Sequence, residues 1–100
     1  MQQIEAVIQP SKLNEVRNAL DQMGIEDFLE SSILCHTHQG EAAMSFRGAR
    51  FIANSVEKVK LEVLAADESA AKIAEAIGAI ARTGKREDCR IAIRPYREVI

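Results

Sequence analysis

Three features of this 100-residue chain predict an α+β fold, with a four-stranded antiparallel sheet carrying two helices on one face. Two stretches, Gln3 to Gln9 and Val56 to Ala65, alternate apolar and polar residues with the period of a half-buried strand. Each is followed by a segment whose apolar residues recur at helical spacing. Two further strand-like runs, about Phe28 to Cys35 and Arg90 to Arg94, complete the order β-α-β-β-α-β.

The first strand places Ile4, Ala6 and Ile8 on one face and Glu5 and Val7 on the other, and Pro10 ends it. Ser11 is positioned to cap a helix running to about Met23, with Leu13, Val16, Leu20 and Met23 along one side, and Gly24 supplies the stop. In the third strand Val59, Leu61 and Val63 alternate with Lys58, Lys60 and Glu62, the usual signature of a sheet with one solvated face. Between the second and third strands, His36 to Ser55 is rich in Gly, His, Ser and Asn and has little periodicity. A connection of that length in a small domain is expected to be functional.

Asp67, with Glu68 and Ser69 behind it, reads as the cap of a second helix. Ile73, Ile77 and Ile80 mark its buried face together with Ala70, Ala74 and Ala81, and Gly84 is its expected end. A polar turn, Lys85 to Arg90, leads into the last strand, with Ile91 and Ile93 on one side. Two β-α-β crossovers in tandem give the ferredoxin-like arrangement, with right-handed crossovers expected. The other sheet face, which includes Val7, Leu64 and Ala92, is left bare, and self-association is the economical way to cover it.

Composition narrows the function. With 47% apolar and 28% charged residues, residues 1–100 are expected to form one domain. A net charge of −2 provides no global field for nucleic acid or anionic membrane, so an anion site must be local. The longest apolar candidate, Ile73 to Ala81, is too short to span a bilayer and is broken by Glu75 and Gly78. The opening Met-Gln-Gln-Ile-Glu lacks signal-peptide character. The expected location is the cytoplasm, where the two cysteines are reduced.

Local clusters carry the chemistry. Arg82, Lys85, Arg86 and Arg90 gather cations around one turn, a pattern suited to a polyphosphate and equally to the C-terminal dipole of the preceding helix. Cys35, His36 and His38 are ligand types for Zn²⁺, Cu or Ni. In an extended segment, however, only alternate residues share a side, so His36 and His38 need a further donor from a neighbouring subunit. No orienting carboxylate is placed to make a catalytic dyad of these residues with Glu41, and no enzymatic activity is expected.

Several segments, in order along essentially the whole chain, resemble the PII signal-transduction family. They are Ile4-Glu5-Ala6-Val7-Ile8-Gln9-Pro10 with Lys12-Leu13, Gly24-Ile25, Arg47-Gly48-Ala49, Lys58-Val59-Lys60-Leu61-Glu62, and Thr83-Gly84-Lys85 with Asp88 and Arg90. The resemblance implies a homotrimer with ATP or ADP in clefts between subunits. It also implies a long loop, the T-loop, that docks on a membrane transporter or regulatory enzyme. In the better-known members Mg²⁺-ATP recruits 2-oxoglutarate, which reports carbon and nitrogen status.

By the same resemblance the nucleotide and effector site comprises Val7, Gln39, Lys58, Glu62, Leu64, Thr83, Gly84, Lys85, Asp88 and Arg90. Within it, Gln39 matches the glutamine that helps hold Mg²⁺ and 2-oxoglutarate, Lys58 the lysine on the effector carboxylate, and Arg90 a phosphate-contacting lysine. Phe46, Arg47, Gly48, Arg50 and Phe51 fall in the partner-binding loop, with Arg47 and Arg50 facing the partner between two aromatic rings.

The departures are specific. Phe51 stands where the family has its uridylylated tyrosine, Phe46 replaces another tyrosine, and Ala49 occupies the position of a phosphorylated serine, so both switches are excluded at those positions. Cys35, Thr37, Glu87 and Cys89 replace glycines that line the phosphate end of the cleft, and His38 replaces a loop arginine. The sequence ends at Ile100, short of the family's phosphate-binding C-terminal arginines. In the implied trimer, Cys35 of one subunit approaches Cys89 of the next, either as a redox pair or as two small apolar fillers.

The leading expectation is therefore a trimeric, non-enzymatic regulator controlled by an adenine nucleotide. The alternative is a transition-metal sensor using Cys35, His36 and His38, associated with a metal or bicarbonate transporter. A trimer with no ligand at all is the third reading.

Overall fold

Alternation in the first segment is realised as strand β1, Gln2–Ile8. The computed structural model describes residues 1–36, 44–46, 49–51 and 55–100, the two short inner pieces by backbone alone. After β1 come helix α1 (Leu13–Gln22), strands β2 (Leu29–His36), β3 (Met44–Phe46), β4 (Ala49–Phe51) and β5 (Ser55–Ala65), helix α2 (Asp67–Ala81) and strand β6 (Cys89–Pro95). The sheet order is β2-β5-β1-β6 with every pairing antiparallel, the ferredoxin-like α+β arrangement expected. β3 and β4 form a separate two-stranded ribbon, with Phe46 opposite Ala49.

The register aligns Ile4, Ala6 and Ile8 with Val63, Leu61 and Val59 on one side and with Ile93, Ile91 and Cys89 on the other, so these positions share one face of the sheet, on which Ile93 alone stays exposed. Against them pack Val16 and Leu20 of α1 and Ala70, Ile73, Ile77 and Ala81 of α2, all buried. Ala74 and Ile80 of α2 are only partly buried at the margin of this core.

Both expected caps are corrected. Pro10–Lys12 forms a 3-10 turn, closed by the Lys12 N–H donating to the Gln9 carbonyl at 3.0 Å, so Lys12 precedes α1 and Ser11 caps nothing. The proline ring presets the turn one residue too early for serine to serve. At α2, Ala66 occupies the cap position. Asp67 is the first helical residue, and its carboxylate lies 2.9 Å from the Met1 ammonium. The hydrogen bond and charge of that terminus hold the Asp67 carboxyl below its ordinary range.

Two further expectations shift. Met23 lies beyond the last turn of α1 and is exposed rather than buried. α2 ends at Ala81, where Arg82 turns extended, so Gly84 belongs to the following turn and does not stop the helix.

Gly24, by contrast, does what was expected, reversing the chain after α1 at φ +78°. An added Cβ there meets nothing within 4 Å, so the whole penalty of a side chain is backbone strain. Gly24→Ala is expected to lower the unfolding free energy by about 1 kcal/mol, read from the urea midpoint at unchanged slope. An unchanged midpoint would show that the left-handed conformation carries no strain.

The open sheet face is more polar and less bare than expected. Glu5 pairs with Arg94, Lys60 with Glu62 at 3.3 Å, and Gln3 donates to Glu62 at 3.2 Å. Val7 is only 8% exposed, whereas Leu64 remains 38% exposed. Val7 sits on a central strand directly between Lys60 and Arg90, whose aliphatic stems are placed to shield it.

Candidate functional site

The long strand β5 carries Lys58 on the open face, opposite Ile33 of β2. At the neighbouring end of the sheet β6 begins, and its register sets Arg90 opposite Val7. The 3-10 turn Arg86–Asp88 folds in just before β6. These pieces enclose a cavity of about 310 Å³ lined by Val7, Cys35, Lys58, Arg86, Glu87 and Arg90.

Lys58 departs from the solvated-face expectation. It is 4% exposed, and its ammonium donates to the Glu87 backbone carbonyl. Burial of a cation is costly unless it is paired or well hydrogen-bonded, and the acceptor here is neutral.

The adjacent turn holds itself together. The Thr83 hydroxyl donates to the Asp88 carboxylate, the Lys85 N–H to the Thr83 hydroxyl at 3.4 Å, and the Asp88 N–H to the Lys85 carbonyl at 3.1 Å. Gly84, at φ +90°, makes the tight reversal possible. Thr83, Gly84, Lys85 and Asp88 therefore shape the turn and do not line the cavity, while Lys85 remains exposed beside it.

Glu62 and Leu64 lie elsewhere. Six residues along β5 separate Leu64 from Lys58, roughly 20 Å at strand spacing. Both line a second cavity, of about 510 Å³, with Glu26, Asp27, Phe28 and Tyr96. Phe28 and Tyr96 were not anticipated. Phe28 lies one residue ahead of β2 and Tyr96 one beyond β6, and the antiparallel pairings set both at the same end of the sheet, although on its two outer strands.

Cys35 faces the first cavity from the open side, while Cys89 lies on the helix-covered face; both are free thiols. Burial pushes the Cys89 thiol up, partly offset by the Arg82 and Lys58 cations. Cys35 and His36 are successive strand residues and so point to opposite faces. Among the described residues no group of three or more His, Cys, Asp and Glu side chains could hold a metal ion, and the metal-sensor reading has no support. Gln39, His38, Arg47 and Gly48 lie outside the described residues. Phe46, Arg50 and Phe51 are placed only as backbone positions of β3 and β4.

No helix among the described residues is long and apolar enough to cross a membrane. The fold and its cation-lined cavity define a ferredoxin-like α+β protein whose open sheet face carries two separate ligand-sized hollows. A family model described as nitrogen regulatory protein P-II matches residues 1–100, and the chain belongs to that family. It is 37% identical to the nitrogen regulatory protein P-II of Rhizobium meliloti (strain 1021), 35% identical to that of Azospirillum brasilense and 33% to that of Nostoc punctiforme. Each comparison spans all of this chain and 89% of the relative. The family is one of regulators of nitrogen signalling, and its name denotes no catalytic reaction.

Proposed function

We propose that this chain is a cytoplasmic, trimeric regulator that binds an adenine nucleotide, ATP or ADP, in clefts between subunits and acts through the segment 36–55 on a transporter or regulatory enzyme. One observation carries the reading. A buried lysine, hydrogen-bonded to a neutral carbonyl, lies with two arginines in a cavity large enough for a phosphate chain. An anion there would give the Lys58 ammonium the charged partner that its burial calls for.

The second hollow, with Phe28, Leu64 and Tyr96, offers apolar surface suited to a heterocyclic base. It stands too far from Lys58 for one nucleotide to reach both in the same subunit, and this supports a site completed by a neighbouring copy. By the family resemblance, Mg²⁺ with 2-oxoglutarate would be a second ligand, met by Gln39 and Lys58. In the loop, Arg47 and Arg50 are the partner-facing residues, and Phe51 leaves no hydroxyl for uridylylation at that position.

Thermal unfolding with ATP, ADP, AMP, Mg²⁺ plus 2-oxoglutarate and bicarbonate tests the proposal. A ligand that binds only the folded state at a hundredfold excess over Kd adds about 2.7 kcal/mol of stability, which raises the melting temperature measurably. The rise with ATP or ADP should disappear in Arg86→Ala/Arg90→Ala, which removes two of the three cations that line the cavity. A melting temperature indifferent to all three nucleotides overturns the nucleotide reading.

A further inference from the structure

The described residues that line the smaller cavity bring three cations, Lys58, Arg86 and Arg90, and a single carboxylate, Glu87. Glu87 takes part twice. Its backbone carbonyl accepts a hydrogen bond from the Lys58 ammonium, and the residue, itself exposed, lines the cavity together with Arg86 and Arg90. Among the described residues the ion pairs are Met1 with Asp67, Arg17 with Glu30, Lys60 with Glu62 and Arg94 with Glu5, so no pair engages Glu87. Its negative charge is therefore not spent on an adjacent guanidinium and acts on whatever enters the cavity.

The consequence depends on the charge of the ligand. Attraction to the three cations and repulsion from the carboxylate both scale with the number of phosphate charges, whereas contacts to a base or sugar do not. One carboxylate among three cations weakens the gain that each added phosphate brings. We infer that Glu87 is a specificity-determining residue that tempers the preference of the cavity for nucleoside triphosphate over monophosphate. The inference rests on the adenine-nucleotide reading above.

The two roles of Glu87 can be separated experimentally. Glu87→Gln and Glu87→Ala both remove the charge and keep the backbone carbonyl on which Lys58 rests. Calorimetric titration of ATP and AMP in metal-free, low-salt buffer is the test. Both variants should bind ATP about fivefold more tightly than the unsubstituted protein and AMP less than about twofold more tightly, and raised salt should shrink the difference. Glu75→Gln, the same charge change on an exposed residue of α2, should leave the ratio untouched.

An ATP-to-AMP ratio that is unchanged in Glu87→Gln while both nucleotides still bind overturns the role of Glu87 and leaves the nucleotide reading standing. A ratio that moves in only one of the two variants assigns the effect to shape and also overturns it. If no nucleotide binds the unsubstituted protein or either variant, the nucleotide reading itself fails and this inference fails with it. Melting curves of the free proteins verify that each variant is folded.

Discussion

Lys58→Met is expected to weaken ATP binding by roughly 10- to 100-fold while changing the stability of the free protein by less than about 1 kcal/mol. Removing one charged hydrogen bond to a ligand is worth about 1.5–3 kcal/mol, which corresponds to that range of affinity. Stability is spared because methionine retains the buried stem and discards an ammonium whose desolvation opposed folding. The Glu87 carbonyl loses its donor, but residue 87 is exposed and water can replace the lost bond. Titration calorimetry and a denaturant series on the same preparations separate the two effects. Undiminished ATP affinity would mean that Lys58 faces no phosphate, and a collapse of stability would mean that the lysine serves the fold.

The largest effect on folding is expected at Leu61. This side chain is fully buried on the helix-covered face of a central strand, directly opposite Ala6. Leu61→Ala removes its apolar contacts and leaves a cavity that the flanking strands cannot collapse to fill. The expected loss is about 3 kcal/mol, a large share of the 5–15 kcal/mol typical of a domain. At this chain length that lowers the melting temperature by roughly 10–25 °C.

Leu64→Ala, three residues along the same strand but on the open face, is the informative comparison. With 38% of Leu64 already exposed, the isolated subunit should lose less than about 1 kcal/mol. A much larger loss at Leu64, one that depends on protein concentration, would show that other copies cover the open face. A loss below about 1 kcal/mol at Leu61 would contradict the packing described.

Periodicity was readable where water lies on one side of an element and the core on the other. The alternation expected over Gln3 to Gln9 and Val56 to Ala65 is realised in strands Gln2–Ile8 and Ser55–Ala65, and the Ile73/Ile77 stripe of α2 stands as expected, because each pattern records a local contrast between the two sides. The β3–β4 ribbon within residues 36–55 went unseen because three-residue strands are too short to show a period. Ser11 and Asp67 misled because a capping residue type does not specify the backbone angles of its neighbours.

Lys58 shows where pattern reading ends. Its place in the polar half of an alternating strand is the same as that of Lys60 and Glu62, yet it alone of the three is buried. What covers it is the Arg86–Asp88 turn, nearly thirty residues downstream, brought over by the antiparallel pairing of β1 with both β5 and β6. From the order of residues alone follow the succession of strands and helices, the apolar face of each, and the family resemblance. Local geometry and the contrast between water and core suffice for the elements, and matched segments in order suffice for the resemblance. The convergence of Val7, Lys58 and Arg90 on one cavity, and the separation of Lys58 from Glu62 and Leu64, come from the strand order β2-β5-β1-β6 and its register. Those depend on how distant segments bury one another, and no local spacing encodes that.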